Sequence, residues 1–518
     1  MKLIFGLSLI IASHLFAQEP ATVFKSKAEL VLVPTVVTRN GQPVSGLKST
    51  DFALIHQGEH EKISVFEEIT AKASSSQRPN LPTNVAANFS KGDAQADTII
   101  VLLDFLNARW DNVANIREYT RDIAKIFAES NTHASFLLLT SQGLVQAHSL
   151  TADPADLYKA IDLWAKKKPL DNSDSVHTGS TWASTYDVTS MSGTVEAFDH
   201  FAHLPRMGKA VAVDRASTTT EALEQISVAF GGIPGRKRLI WVSTGFPYIR
   251  DINIGGSPSS DAFQLRDRVV RAWRALTTGN IAVYPIDSNS GPVNPMFAPF
   301  GMPSTASLLE VAERTGGRTC VDLLKDCMAR TLAADQHYYL LGFYLHGDQK
   351  PGWHKLKVEL NGQHANIHVR NGFLVTDNKI PPTEIEKDVV ITALASPLDY
   401  TGIPLILRWK MKSDKDNSRS LELAVTSPPG GLSFDGGDGK ISFDYLAFLR
   451  PVGNTEGRSF PASIRASLTP DQQKTLQEQG FTYRKQIPIT PGNYEIRVFL
   501  RDNVTTKIGT VSTALTVE

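Results

Sequence analysis

The stretch that most constrains how this chain can fold is TIIVLLDFLN, which covers Thr98 to Asn107. It is short and almost continuously apolar, a pattern typical of a strand that is buried on both faces in a helix-covered parallel sheet. The run ends abruptly in the polar residues Asp104 and Asn107. Because open α/β sheets bind ligands at the carboxyl ends of their strands, these two residues are the first candidates for a functional site.

Strand-like and helix-like segments alternate throughout residues 97–335. The spacing of Ile116 and Ile123 with their apolar neighbours predicts an amphipathic helix after the first strand. The apolar runs RLIWVST and IAVYPID predict two further buried strands, which end at Thr244 and Asp287. Such alternation predicts a mainly parallel sheet with helices on both faces.

Segments with β-type alternation flank this region on both sides. We expect the N-terminal segment 28–70 to pack with the segment 336–376, so that the α/β region is inserted into a β-sandwich. Residues 71–96 are rich in Ser, Asn, Pro and Gln and are predicted to be a linker. Regularly spaced strands with turn signals predict an immunoglobulin-like sandwich over residues 383–518.

The first residues predict export. Lys2, an apolar core and Ala17 give the layout of a secretory signal peptide over residues 1–17. No later run approaches the roughly 18 apolar residues that a membrane span needs. We therefore expect a mature chain without a transmembrane span, in the periplasm or outside the cell, although an uncleaved leader acting as an anchor stays open. In an oxidising compartment Cys320 and Cys327 are candidates for a disulfide.

Composition and motifs argue against several functional classes. The 53 Lys and Arg residues balance the 53 Asp and Glu residues, so the net charge gives no indication of a polyanionic partner such as nucleic acid. The chain has no GxSxG, HExxH or GxxxxGK[ST] motif, which leaves hydrolase, zinc-protease and phosphate-loop chemistry without support. We expect a protein that is not an enzyme.

Five motifs in order resemble those of a known family. They are LVLVPTVVTRNGQPVSGLKSTDFALIHQGEHEKISVFEE, VLLDFLN, RKRLIWVSTGFP, IAVYPID, and HYYLLGFY followed by VRNGFLV, between Glu29 and Val375. On these residues the α/β region resembles von Willebrand factor type A domains, and the chain is similar to von Willebrand factor A-related secreted bacterial proteins. The resemblance implies ligand recognition without catalysis. The expected fold class is a Rossmann-like type A domain flanked by all-β immunoglobulin-like sandwich modules.

Type A domains that bind through a metal use DxSxS after the first strand, a threonine in a second loop and an aspartate after the fourth strand. By this resemblance Asp104 matches the first aspartate, but Leu106 and Ala108 occupy the two serine positions. Thr220, or Thr218 nearby, is the candidate threonine. One carboxylate is little charge for Mg²⁺, which gives up its water reluctantly.

Two interpretations of this site stay open. In the first, Asp104, Asn107, Thr220, Thr244 and Asp287 form a degenerate metal-ion-dependent adhesion site that holds Mg²⁺ or another divalent cation weakly, with Asp104 as the metal ligand. In the second, which the ligand count favours, Asp104 and Asn107 cap the following helix and bind backbone donors, and no cofactor is needed.

The segment 166–216 is too long for an ordinary connection in such a domain. Its aromatic residues, among them Trp182 and Tyr186, lie among Ser, Thr and Gly, as in many recognition loops. The alternative, which stays open, is a flexible or self-packed excursion that its aromatic residues only hold in place. We expect an exported, non-catalytic adhesion-type protein that recognises a protein or other macromolecule at the carboxyl edge of the sheet. The alternative is a structural or assembly component of the cell envelope that acts through its sandwiches.

Overall fold

The computed structural model describes a set of ranges that covers most of the chain: residues 29–70, 81–89, 98–108, 113–129, 134–151, 195–246, 260–288, 305–320, 327–329, 336–345, 349–362, 364–375, 390–413, 419–432, 439–454 and 456–518. The structural statements below concern these residues. Of the residues proposed above, Trp182 and Tyr186 lie outside them.

The strands are numbered in chain order. They are β1 (Glu29–Arg39), β2 (Gln42–Pro43), β3 (Phe52–His56), β4 (Glu59–Glu61), β5 (Val65–Thr70), β6 (Val85–Ala87), β7 (Thr98–Asp104), β8 (Ala134–Thr140), β9 (Gly143–Thr151), β10 (Lys237–Ser243), β11 (Ile281–Asp287), β12 (His337–Leu345), β13 (Gly352–Leu360), β14 (Asn366–His368), β15 (Gly372–Val375), β16 (Ile406–Ser413), β17 (Arg419–Ser427), β18 (Lys440–Pro451), β19 (Arg458–Ser467), β20 (Phe481–Pro488), β21 (Gly492–Asp502) and β22 (Ile508–Val517).

The helices interrupt these strands mainly in the middle of the chain. They are α1 (Val113–Glu129), α2 (Val195–Gly231), α3 (Ser260–Thr278), α4 (Thr305–Thr315) and α5 (Pro470–Gln479), with a 3₁₀ turn at Ser49–Asp51. Where the structure describes helices, none is long and apolar enough to cross a lipid bilayer.

Two antiparallel sheets form an N-terminal sandwich from distant parts of the chain. One has the order β14-β1-β12-β5 with β2 paired to β1, and the other has the order β15-β13-β3-β4. Their inner faces share a core that includes Val33, Leu54, Tyr339 and Phe343. Alternate residues of each strand turn inward, because successive side chains of a strand point to opposite faces. Segment 29–70 thus pairs with segment 337–375 across the intervening unit.

A mixed sheet flanked by helices lies between β5 and β12 in the chain. Its order is β11-β10-β7-β8-β9, with β9 antiparallel to its neighbour and the other strands parallel. Residues of β7 alternate between two apolar clusters, one on each face of the sheet. This two-sided burial explains why the sequence of β7 is apolar throughout.

The C-terminal region is a second sandwich of two four-stranded antiparallel sheets. Their orders are β20-β17-β16-β6 and β19-β18-β21-β22, and a common core lies between them. One strand comes from an unexpected place, since β6 pairs with β16 and yet lies within the predicted linker 71–96. Its backbone donors and acceptors complete the edge of the sheet, although its sequence is short and weakly patterned.

The predicted fold class, a Rossmann-like type A domain with immunoglobulin-like modules, is wrong for this chain. About half of the structure is strand, helices are few, and only one of the five sheets contains parallel pairs. The predicted fold class relied too heavily on the apolar strands of residues 97–335. Alternating strands outside that region supply four antiparallel sheets, and β9 adds an antiparallel edge to the remaining one.

Helices α2 and α3 pack against the C-terminal sandwich through a continuous apolar cluster. Leu223 and Trp273 on the helices belong to the same cluster as Tyr400, Phe499 and Ile508. At the end of α2 the helix backbone lies close to the C-terminal sandwich. The Thr401 hydroxyl donates to the Ala229 carbonyl at 2.6 Å and accepts from the Gly232 amide at 3.2 Å.

Three consecutive basic residues are buried at the start of β10. Arg236 donates from Nη2 to the Gly316 carbonyl at 2.6 Å and to the Tyr284 hydroxyl at 3.1 Å, and its amide donates to the Tyr338 hydroxyl at 3.2 Å. Lys237 Nζ donates to the carbonyls of Ile233 and Gly235. Arg238 is equally buried. This run joins β12, the end of α2 and the end of α4 at one point.

We predict that Gly232→Ala destabilises the protein, because a Cβ there would lie 1.9 Å from the Thr401 carbonyl oxygen. Overpacking of this kind costs about 1–3 kcal/mol of the free energy of unfolding. The control is Gly231→Ala, whose Cβ would meet only Gly279 Cα at 3.6 Å. Urea denaturation measures both variants, and equal stability of the two would contradict the close approach.

We predict that Lys237 makes stability rise with pH in alkaline solution. Burial lowers the pKa of Lys237 to about 8 from 10.5. Between these values the unfolded chain keeps a proton that the native lysine has lost, so the free energy of unfolding increases with pH, by roughly 3 kcal/mol in total.

The rise should be complete above pH 10.5 and absent below pH 8. Lys237→Met should lack it, while the same substitution at the exposed Lys474 should keep it. Chemical denaturation at several pH values checks this, and equal slopes for wild type and Lys237→Met would refute it.

Candidate functional site

The carboxyl ends of β7, β10 and β11 meet at one edge of the mixed sheet, called the carboxyl edge below. Strand register places Ser243 beside Asp287, and Leu103 beside Val242. The loop after β7 is tied to the neighbouring strand, because the Phe105 and Leu106 amides both donate to the Leu139 carbonyl. The parallel arrangement therefore brings together polar residues that are far apart in the sequence.

The Asp104 carboxylate is enclosed by donors from the protein itself. Its Oδ1 accepts from the Asn107 amide at 3.0 Å, and its Oδ2 accepts from Asn107 Nδ2 at 2.9 Å and from the Ser243 hydroxyl at 2.6 Å. The residue is fully buried. Carboxylates bound in this way hold loops in place, because a charge-assisted hydrogen bond is about twice as strong as a neutral one.

Burial raises the pKa of the Asp104 carboxyl above its ordinary value, since desolvation penalises the charged form. The hydrogen bonds from Ser243 and Asn107 act in the opposite direction but are outweighed. The Trp241 indole also lowers the pKa slightly, although its Nε1 lies beyond hydrogen-bond distance of any partner in the described part of the chain.

Asn107 links three elements at this edge. Its Nδ2 also donates to the Thr219 hydroxyl on α2 at 2.9 Å, and its carbonyl accepts from the Thr244 hydroxyl at 2.8 Å. Its Oδ1 is buried and has no hydrogen-bond partner within the described ranges. Asn107 thus ties the loop after β7 to both α2 and the loop after β10.

The candidate threonine on α2 does not contact Asn107. Thr220 lies inside the helix, which begins far upstream of it, and its hydroxyl donates to the carbonyls of Ala216 and Ser217. Thr219, one position earlier, makes the contact that Thr220 was expected to make. A neighbour on a helix is turned by about 100°, which the sequence pattern did not resolve.

Sequence reasoning also missed Ser243, which donates to Asp104. The strand β10 ends at Ser243 rather than at Thr244. The sequence offered one signal for Ser243. It is a polar residue just before the predicted strand end, in line with the last residue of β7.

Asp287 lies at the same edge but apart from the Asp104 network. It ends β11 and is partly exposed. Its neighbour Ser288 donates its amide to the Ser243 carbonyl at 2.9 Å and accepts from Asn115 Nδ2 at 3.2 Å. No hydrogen bond among the described residues joins Asp287 to Asp104.

The donor set at this edge does not suit a divalent cation. The Asp104 carboxylate already accepts three hydrogen bonds from the protein, and a single carboxylate is little charge for a hard cation such as Mg²⁺. Within the described ranges no group of three or more His, Cys, Asp or Glu residues is placed to hold a metal ion. The arrangement supports the shape of the loops rather than coordination chemistry.

A disulfide joins Cys320 and Cys327, whose Cα atoms are 5.7 Å apart. Cys320 is hydrogen-bonded through its amide to the Pro285 carbonyl and bridges to Ile286 on β11. The bond therefore fastens the segment after α4 beside the last strand of the mixed sheet.

Comparison with known proteins adds no assignment. No protein-family model matches the chain, and no curated protein matches it.

We predict that Asp104 lowers stability as pH rises. Its folded pKa is above the unfolded value of 3.8, so the native state holds the proton more strongly, and the free energy of unfolding falls as pH increases from about 3.8 through the folded pKa. Asp104→Asn should abolish this fall. Ser243→Ala removes a donor to the carboxylate, which raises its folded pKa further and should extend the fall to higher pH. Denaturation between pH 3 and 8 measures the three proteins, and parallel curves would contradict the prediction.

Proposed function

We propose that this protein is an exported, non-catalytic binding protein that recognises a macromolecular partner with the loops of the carboxyl edge. The observation that carries the proposal is the sequestered Asp104 carboxylate. A general base or metal ligand must reach substrate or ion, whereas both oxygens of Asp104 are buried and committed to Asn107 and Ser243.

The loops of the carboxyl edge are held in a fixed shape. Besides the Asn107 contacts, the Gly245 amide donates to the Ser243 hydroxyl at 3.0 Å, and the Phe246 amide donates to the Ser307 hydroxyl at 3.1 Å. Preorganised loops lose less entropy when they bind, so rigidity favours recognition by surface complementarity. Loops positioned by a rigid scaffold are also where proteins carry much of their binding function.

Export is part of the proposal. It is supported by the signal-peptide pattern of residues 1–17 and by the Cys320–Cys327 disulfide, since such bonds persist in oxidising compartments. The similarity of the five sequence motifs to von Willebrand factor A-related secreted proteins is a further supporting argument for recognition, separate from the architecture.

The second candidate is an envelope assembly component that acts through its sandwiches. It is favoured by apolar side chains on the outer face of the N-terminal sandwich: Leu30 is 39% exposed, Leu32 41% and Tyr344 40%. Leu30 and Tyr344 are direct cross-strand neighbours, so they form a contiguous apolar surface.

Photo-cross-linking in the native host separates the two candidates. A photoreactive residue at Asp287 should capture a partner, and Trp182→Ala with Tyr186→Ala should abolish that capture. A photoreactive residue at the exposed Thr278, at the opposite end of the sheet, is the control. Capture from position 344 but not from 287 would instead favour the assembly role.

A cation titration tests the absence of a metal. We predict that Mg²⁺, Mn²⁺ and Ca²⁺ leave the thermal midpoint of the exported protein unchanged, because a ligand stabilises only a state that binds it. A cation that raises the midpoint of wild type but not of Asp104→Ala would overturn this. Turnover of a small molecule that Asp104→Ala removes would overturn the non-catalytic assignment.

A further inference from the structure

One outer face of the C-terminal sandwich is strongly basic. On β16 the core side is taken by Leu407 and Trp409, so that Arg408, Lys410 and Lys412 turn to the opposite side. Arg408 and Lys410 are exposed, and the Lys412 side chain is 42% exposed. Three successive outward positions of one strand therefore carry positive charge.

A fourth cation lies two strands away. Register places Arg408 beside Ala424 on β17, and Ala424 beside the exposed Arg484 on β20. Neighbouring strands are roughly 4.8 Å apart, so the two arginine backbones are separated by about 10 Å with only a methyl group between them. We call Arg408, Lys410, Lys412 and Arg484 the basic face.

Glu422 is the one acidic residue on the outer side of these four strands, opposite Lys410 in register. It forms a salt bridge with Lys412. That bond lowers the pKa of the Glu422 carboxyl, and the charges of Arg484 and Lys410 lower it further. Three of the four cations, Lys410, Lys412 and Arg484, thus act on the single carboxylate, and the basic face keeps an excess of three positive charges in a chain whose total charge is zero.

Protection of an open edge does not explain the whole basic face. Strand β6 pairs only with Ile406 to Arg408. Lys410 and Lys412 therefore lie on a stretch of β16 that has no strand partner on this side among the described residues. Lysine at such an edge commonly discourages aggregation. Arg408, however, lies where β16 is paired on both sides. Edge protection therefore does not account for the charge of Arg408. Like charges on adjacent outward positions repel one another, so their clustering has another reason.

The other sheet of this sandwich is already occupied. Phe499 and Ile508 on it pack into the cluster shared with α2 and α3. Of its exposed arginines, Arg450 pairs with Glu495 and Arg465 with Asp444, while Arg458 lies over the Phe460 ring and donates to the Pro488 carbonyl. The basic face differs from that sheet because three successive outward positions of one strand carry positive charge beside a single carboxylate.

We propose that the basic face docks the exported protein on a bilayer surface that carries anionic phospholipid headgroups. Its cations spread over the outside of a sheet and do not converge on one point, so they suit an array of phosphates better than a single anion. Each basic residue near such a surface strengthens binding by about fivefold, and an excess of three by about a hundredfold. This docking is independent of recognition at the carboxyl edge.

The test is co-sedimentation of the purified full chain with vesicles at low ionic strength. Wild type should bind vesicles of equal parts phosphatidylglycerol and phosphatidylcholine, and should not bind phosphatidylcholine alone. Salt should release it, because the attraction is screened within a Debye length. Arg408→Gln with Arg484→Gln should weaken binding about thirtyfold.

The matched control is Arg450→Gln with Arg465→Gln, which removes the same number of arginines from the paired positions of the other sheet. It should change binding by less than about twofold, and unaltered thermal midpoints should show that both variants fold. Equal losses in the two double variants, equal binding to neutral vesicles, or release by millimolar inorganic phosphate would overturn the proposal. A failure of wild type to bind anionic vesicles would also overturn it and would leave an acidic protein as the partner of this face.

Discussion

The burial of a basic run at the start of β10 is the constraint on which the joining of the mixed sheet to the N-terminal sandwich depends. Arg236 and Lys237 lie in the interior, where a charge is tolerated only if its donors find acceptors. Their partners are backbone carbonyls at the ends of α2 and α4, together with hydroxyls of Tyr284 and Tyr338. Helix ends offer unpaired carbonyls, so one run of cations satisfies several elements and fixes their relative positions.

The carboxyl edge shows the opposite use of a buried charge. The Asp104 carboxylate is held by donors from Asn107 and Ser243, and Asn107 passes the connection on to Thr219 and Thr244. The polar groups of this network hold the loops in one geometry. Under the proposed function the carboxyl edge presents this fixed surface to a partner, while the basic face lies elsewhere, on the outside of the C-terminal sandwich.

Much of the site could be located from the sequence, but its contacts could not. Asp104 and Asn107 follow an apolar run, and their position at a strand end was visible in the pattern. Their partners Ser243 and Thr219 are more than a hundred residues away, and each lies one position before the residue that the sequence suggested. Strand ends and helical phase are set by packing, so a shift of one residue changes which side chain reaches the site.

The sequence by itself determined the local elements, because alternation and continuous apolar runs reflect how many faces of a strand are buried. It did not determine the balance of architectures, in which β6 pairs with β16, a strand more than three hundred residues away in the sequence. Nor did it reveal how charge is distributed. Arg236 and Lys237 are consecutive charged residues that the fold buries, while Arg408 and Arg484 come from distant strands and form one face. Burial and clustering arise from contacts between distant segments, which net charge and local pattern do not contain.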